Sequence, residues 1–282
     1  MSISSPHAGE TGAPSAARAG GSSFYLAMRI LGRQQRQAMF EVYSFCRAVD
    51  DIADGDAPRD LRMAQLAEWR KLIDTYYSGQ KIDETDELAK AIDRFALRKQ
   101  DFLSVIEGME MDAEADIRAP DFARLERYCD RVACAVGRLS VRIFGLDGEN
   151  GLRLAHHLGH ALQLTNILRD IDEDAACGRL YLPREALRMA GIEGDDPDSV
   201  TMDPRLGMAC MIVADRARAH FIEADAIMSA SPRHAVRAPK IMEEVYRRLL
   251  DDMVARGWAR PRTRVHVNKP RLVWIALRHG FV

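Results

Sequence analysis

The chain has 282 residues, 47% of them hydrophobic, enough for a sizeable core. Forty basic residues against forty-two acidic ones leave a formal charge of −2. That balance excludes a general nucleic-acid binder, which carries a basic excess for the phosphate backbone.

Residues 1 to 21 are rich in Ala, Gly and Ser, lack an apolar signal core, and read as a disordered tail ahead of one domain over 22 to 282. Ser23 to Leu31 reads as a short helix capped by Ser22 or Ser23 and broken near Gly32. The next helix runs from about Gln34 to Gly55. On it, Tyr43, Arg47, Asp50 and Asp54 follow spacings of four, three and four, so they share one stripe, while Met39, Phe40, Val42 and Phe45 make most of the remaining surface apolar. Packing helices follow over 59 to 78, 88 to 97 and 102 to 111. The last contains the Met109, Glu110, Met111 run, read as core filling ahead of a lipid-pocket lining.

A long helix is predicted over Phe122 to Phe144, with Tyr128, Val132, Ala135 and Leu139 on one face and Ala133, Ala135 and Gly137 leaving room beside a cavity. Another runs from Asn150 to Ala175. Its histidines, His156, His157 and His160, have no cysteine or acid on the same turn, which favours core or surface histidines over a metal site. Farther along the same helix, Gln163, Asn166, Asp170 and Asp174 fall within an arc of about 80° at 3.6 residues per turn. Two carboxylates one turn apart repel each other in an apolar setting unless a cation shares them. Asn166, Asp170 and Asp174 supply the hard oxygen ligands that Mg²⁺ takes together with substrate phosphates. The acid pair is thus present twice, each time beside an arginine (Arg47, Arg169), which suggests two facing walls that hold Mg²⁺ and clamp a diphosphate.

Gly178 ends the helix, and Arg179 follows as a third candidate clamp. A short helix is expected over 185 to 190, a loop over 191 to 204, and helices over 206 to 228 and 239 to 256. The basic run 260 to 269 is read by default as solvated, with a short extended piece or a surface for anionic lipid as alternatives. Strand signals are scarce, so the fold is expected to be all-α. The five cysteines form no C-x-x-C pair and leave an odd count, the pattern of reduced thiols in a cytoplasmic protein.

FCRAVDDIADG and LQLTNILRDIDEDAACGRLYLP resemble the two D-x-x-x-D motifs of the squalene and phytoene synthase family, and similarity extends over residues 22 to 280. GSSFYLAMRIL, EGMEMD and RYCDRVACAVGRLS look most like its bacterial branch serving hopanoid biosynthesis. The resemblance implies an isoprenoid-synthase-type helical bundle around an apolar cavity. It also implies head-to-head condensation of two farnesyl diphosphates with Mg²⁺ at Asp50, Asp54, Asn166, Asp170 and Asp174. It places Ser22, Ser23, Phe24, Tyr43, Arg47, Gln163, Asn166, Arg169, Arg179 and Tyr246 against substrate and Tyr128 near the reacting carbons. No NADPH is expected for the cyclopropane-forming step. Contact with the inner membrane and with downstream hopanoid-pathway enzymes is left open. Phytoene, squalene or dehydrosqualene synthesis are the competing activities; a non-catalytic assembly or lipid-carrier protein is the competing class, but neither would need both acid pairs and their arginines.

Overall fold

The computed structural model describes residues 27–79, 85–114 and 117–266. The expectations for the tail and for Ser22, Ser23 and Phe24 lie outside these residues. Among the described residues every regular element is helical, and the extended pairing is limited to one isolated bridge between Arg118 and Leu180. The fold is all-α.

Helix α1 (Arg33–Ala53) buries Met39, Val42, Phe45, Val49 and Ala53, spaced three and four apart as one helical face requires. It is followed by α2 (Arg59–Tyr76), α3 (Glu87–Phe95) and α4 (Lys99–Glu114). The Phe45 ring meets Trp69 and Phe102 edge to face, with centroids 5.5 and 5.1 Å apart, and so joins α1, α2 and α4. The two fully buried rings, Phe45 and Phe102, each contribute about 1.5–3 kcal/mol. Arg62 donates to the Ala53 carbonyl at 2.6 Å, which fixes the end of α1 that carries Asp54.

The long helix expected over 122 to 144 is interrupted. It divides into α5 (Phe122–Cys129), a π turn (Asp130–Cys134) and α6 (Ala135–Phe144). Neighbouring backbones press on the turn from two sides: a Cβ on Gly108 would lie 2.6 Å from Val132 Cγ1, and one on Gly159 would lie 2.8 Å from Cys134 Cα. The two glycines let α4 and the following long helix approach that closely. A π turn hardly changes apolar spacing along the chain, so the periodicity did not reveal it.

Helix α7 (Glu149–Arg169) also ends earlier than expected, at Asp170, and α8 (Ile171–Ala176) resumes after that one residue. Arg169 donates to both oxygens of Asp170, at 2.8 and 2.6 Å. Adjacent side chains on a regular helix do not face each other, so this grip and the break go together. The remaining helices are α9 (Arg184–Met189), α10 (Pro197–Met202), α11 (Leu206–Ser229) and α12 (Arg233–Arg256).

Two boundaries correct the sequence reading. The loop expected over 191 to 204 contains α10, whose Asp196 carboxylate accepts from the Ser199 amide at 2.9 Å and whose first residue is Pro197. Acid and proline there are start signals, not breakers. Conversely, Pro239 lies inside α12, which starts after Pro232.

Helix α7 packs against α6, the π turn, α11 and α12. Two buried clusters flank it, and Val132, Leu162 and Tyr246 pack against both. A cavity of about 230 Å³ opens along α7 from Leu154 to Asn166, a span of roughly 18 Å at 1.5 Å per residue. Apolar side chains dominate its lining, including Met28, Met39 and Phe144, with Ser140, Gln163, Asn166 and Tyr246 as polar members. Ala133 and Gly137 line it as expected, whereas Ala135 is fully buried in the core. Met109 likewise fills core.

Candidate active site

The first acid pair is carried by the last turn of α1. Arg47 lies one turn before it and pairs with Asp50 at 3.2 Å and with Asp51 at 2.8 Å. The second pair lies at the start of α8, with Asp170 at the break and Asp174 one turn on inside the helix, where its amide bonds the Asp170 carbonyl at 2.8 Å. The two walls meet through Arg179, whose Nη1 donates to Asp54 Oδ1 at 2.8 Å. Local backbone presets this arginine. Gly178 adopts φ +76° to end α8, and Leu180 is pinned by bonds from its amide to the Ile117 carbonyl (2.7 Å) and from the Ala119 amide to its own carbonyl (2.9 Å).

A fifth acid, one the motif spacing does not mark, completes the site. Asp112 of α4 is 7% exposed and accepts from the hydroxyls of Tyr181 at 2.8 Å and Tyr128 at 2.9 Å. The two phenol rings stack with centroids 5.0 Å apart. Asp112 continues the buried stripe of Val105 and Met109 at helical spacing, and a carboxylate among core positions was the available signal. Tyr128 therefore sits beside the acids, held by Asp112.

The electrostatics tie these groups into one site. Burial, and after it the Asp54 charge, pushes Asp50 up to about 6. Burial, and after it Asp170, pushes Asp174 up to about 7. Asp112 rises to about 6 through burial, against the lowering effect of its tyrosine bonds and of Arg179. Asp112 also acts on both Asp50 and Asp174, so helices α1, α4 and α8 present their acids to one region.

These residues fit Mg²⁺ and a diphosphate. The carboxylates raise one another's pKa, as acids awaiting a shared cation do. Asn166 Oδ1 and Arg179 Nε are both buried without a hydrogen-bond partner, one an acceptor suited to a cation and the other a donor suited to an anion's oxygen. Gln163 and Asn166 line the cavity together with Tyr246, which also acts electrostatically on Arg169. Tyr43 is half-buried on α1.

Of the basic run, 267 to 269 lie outside the described residues, and within the rest Arg262 departs from the solvated default. Arg262 is 4% exposed at its side chain and grips Asp172 at 2.5 Å, and Arg264 reaches Asp170 at 2.7 Å. The segment lies along α8, next to the second acid pair. No helix among the described residues is long and apolar enough to cross a membrane.

The family model for squalene/phytoene synthase matches residues 17–271. The chain is 54% identical to presqualene diphosphate synthase from Rhodopseudomonas palustris, over 93% of this chain and 94% of that protein. It is 56% identical to the enzyme of the same name from Sinorhizobium fredii, over 88% and 89%. A chloroplastic phytoene synthase of Solanum lycopersicum is 34% identical over 88% of this chain and 82% of its own length. Among solved structures, squalene synthase HpnC from Alicyclobacillus acidocaldarius superposes with a TM-score of 0.75 at 29% identity, covering 83% of this chain and 88% of that one. A dehydrosqualene synthase in complex with ligand gives 0.78 at 25% identity, covering 94% and 93%. The chain belongs to the squalene/phytoene synthase family.

Proposed function

We propose that this protein joins two farnesyl diphosphates head to head into presqualene diphosphate, releasing diphosphate and a proton, as a step toward squalene and hopanoids. The observation that carries this reading is the convergence of two acid pairs, Asp112 and three arginines beside an apolar cavity. A charged head and a long hydrocarbon tail are what such a site accommodates. The identity to two presqualene diphosphate synthases supports this product over phytoene.

Asp50, Asp54, Asn166, Asp170 and Asp174 would hold Mg²⁺. Bound there, the ion supplies Lewis acidity toward diphosphate oxygens. Arg47, Arg169 and Arg179 orient the leaving diphosphate and stabilise the charge it gains as the C1–O bond breaks. The allylic carbon then accepts the electron pair of the second molecule's 2,3 double bond, and loss of a proton closes the cyclopropane. The Tyr128–Asp112 pair and the released diphosphate are the two acceptors within the site for that proton. The apolar wall keeps water from quenching the cation. Ser22, Ser23 and Phe24 are assigned to the site mouth on family resemblance alone, and Tyr43, Gln163 and Tyr246 to substrate contact.

No reductant is required up to this product. The substrate reaches the site from solution or from the membrane face. A competition assay with farnesyl and geranylgeranyl diphosphates tests the reading: a C30 product is expected, and preferential C40 product would assign phytoene synthesis instead.

A further inference from the structure

A second constellation of ligand-type side chains lies on a different face of α7 from the cavity. His156, His157 and His160 come from α7, and the fold adds two residues that the sequence keeps apart from them: Cys134 of the π turn and His220 of α11. His157 Nδ1 and His220 Nδ1 are 3.1 Å apart although 63 positions separate them. His156 lies beside both rings, with centroids 4.9 Å from His157 and 5.7 Å from His220. Behind them His160 stacks on His220 at 4.8 Å, and its Nδ1 is 3.0 Å from Cys134 Sγ. Ligand atoms of His156, His157 and His220 fall within 4.8 Å of one another, and so do those of Cys134, His156 and His160.

A hydrogen bond between two neutral rings would account for the His157–His220 contact. It does not account for the third ring, His156, beside them, whereas His160 Nδ1 and Cys134 Sγ have a partner of their own in the His156 carbonyl, at 2.9 and 3.3 Å. Two imidazole nitrogens bound at about 2.0–2.1 Å to one tetrahedral ion lie about 3.3 Å apart, close to the observed separation. Imidazole suits Zn²⁺ and its neighbours in the transition series, whereas Mg²⁺ takes oxygen. The two sites are thus chemically separate.

We infer that His156, His157 and His220 form a binding site for a divalent transition ion of the zinc class. His156 is exposed and gives the ion its route in. The bound ion ties α11 to α7, the helix that carries Gln163 and Asn166 on its cavity side. Its role is to hold that helix in place, and the transferred carbons never meet it.

The test uses untagged full-length protein, stripped with chelator and kept in excess Mg²⁺ so that the carboxylates are already served. Zn²⁺ is titrated by calorimetry and Co²⁺ by its visible absorption. One equivalent of Zn²⁺ is expected, with a rise in Tm. His157→Gln and His220→Gln should each weaken binding by more than about tenfold, the least that loss of an outer-shell partner costs a metal site. Asp54→Asn should bind Zn²⁺ as the parent does. Failure of the folded parent protein to bind Zn²⁺ under these conditions overturns the inference, whatever the variants do. Binding that survives both histidine substitutions but is lost in Asp54→Asn overturns it too, because the zinc would then be at the carboxylates.

Discussion

Arg179 Nη1 lies 2.8 Å from Asp54 Oδ1, bridging 125 positions of sequence and the two acid-bearing walls. The arginine side chain is 15% exposed and the aspartate 55%. A pair this open to water contributes less than about 1 kcal/mol to stability, so its value lies in the site. Arg179→Ala is expected to leave Tm nearly unchanged while kcat/KM falls on the order of 100-fold, the scale of losing one donor to a developing anion. A large drop in Tm with unaltered activity would make the arginine structural only.

Asp54→Asn and Asp170→Asn should each abolish turnover while the circular dichroism spectrum stays that of the parent. The substitutions conserve volume and remove only the charge that would bind Mg²⁺. Full activity in either variant removes that residue from the site.

The raised acids fix a pH dependence. Asp50, Asp112 and Asp174 have folded-state values of about 6, 6 and 7, against about 3.9 for an unfolded aspartate. Between those limits the folded, metal-free protein binds more protons than the unfolded chain, so these groups make stability fall as pH rises from about 4 to about 7. Mg²⁺ with inorganic diphosphate would bind the deprotonated acids and relieve their repulsion. The rise in Tm that the pair produces should therefore grow from about pH 5 to pH 8. Taking the difference with and without ligand cancels the contribution of the histidine cluster. A ligand effect that is flat with pH would separate these acids from metal binding.

Tyr128→Phe removes one of the two hydroxyls on Asp112. Stability should fall by about 1 kcal/mol, the net worth of a hydrogen bond. Calorimetry should show Mg²⁺-diphosphate binding retained, while turnover drops. If turnover holds, the Tyr128–Asp112 pair has no part in the carbon chemistry.

The acid stripes were legible because they follow the helical period that also sets the apolar positions of α1 and α7. Asp112 was not, because its partners Tyr128 and Tyr181 stand 16 and 69 positions away and only folding unites them. The same holds for Arg264, whose place on Asp170 depends on how the chain returns after α12. The π turn escaped because apolar spacing hardly registers one extra residue per turn, and the kink at Asp170 because it accompanies a side-chain grip between sequence neighbours. Proline points the wrong way in both directions: Pro197 opens a helix where the sequence predicts a loop, and Pro239 sits inside a helix that the sequence predicts to start there.

Product identification tests the central claim most directly. Purified protein is incubated with farnesyl diphosphate and Mg²⁺, with and without NADPH, and the products are identified by mass spectrometry. The account predicts presqualene diphosphate in both reactions, with none when Mg²⁺ is chelated. Squalene formed only with NADPH, or no C30 product at all from farnesyl diphosphate, would contradict it.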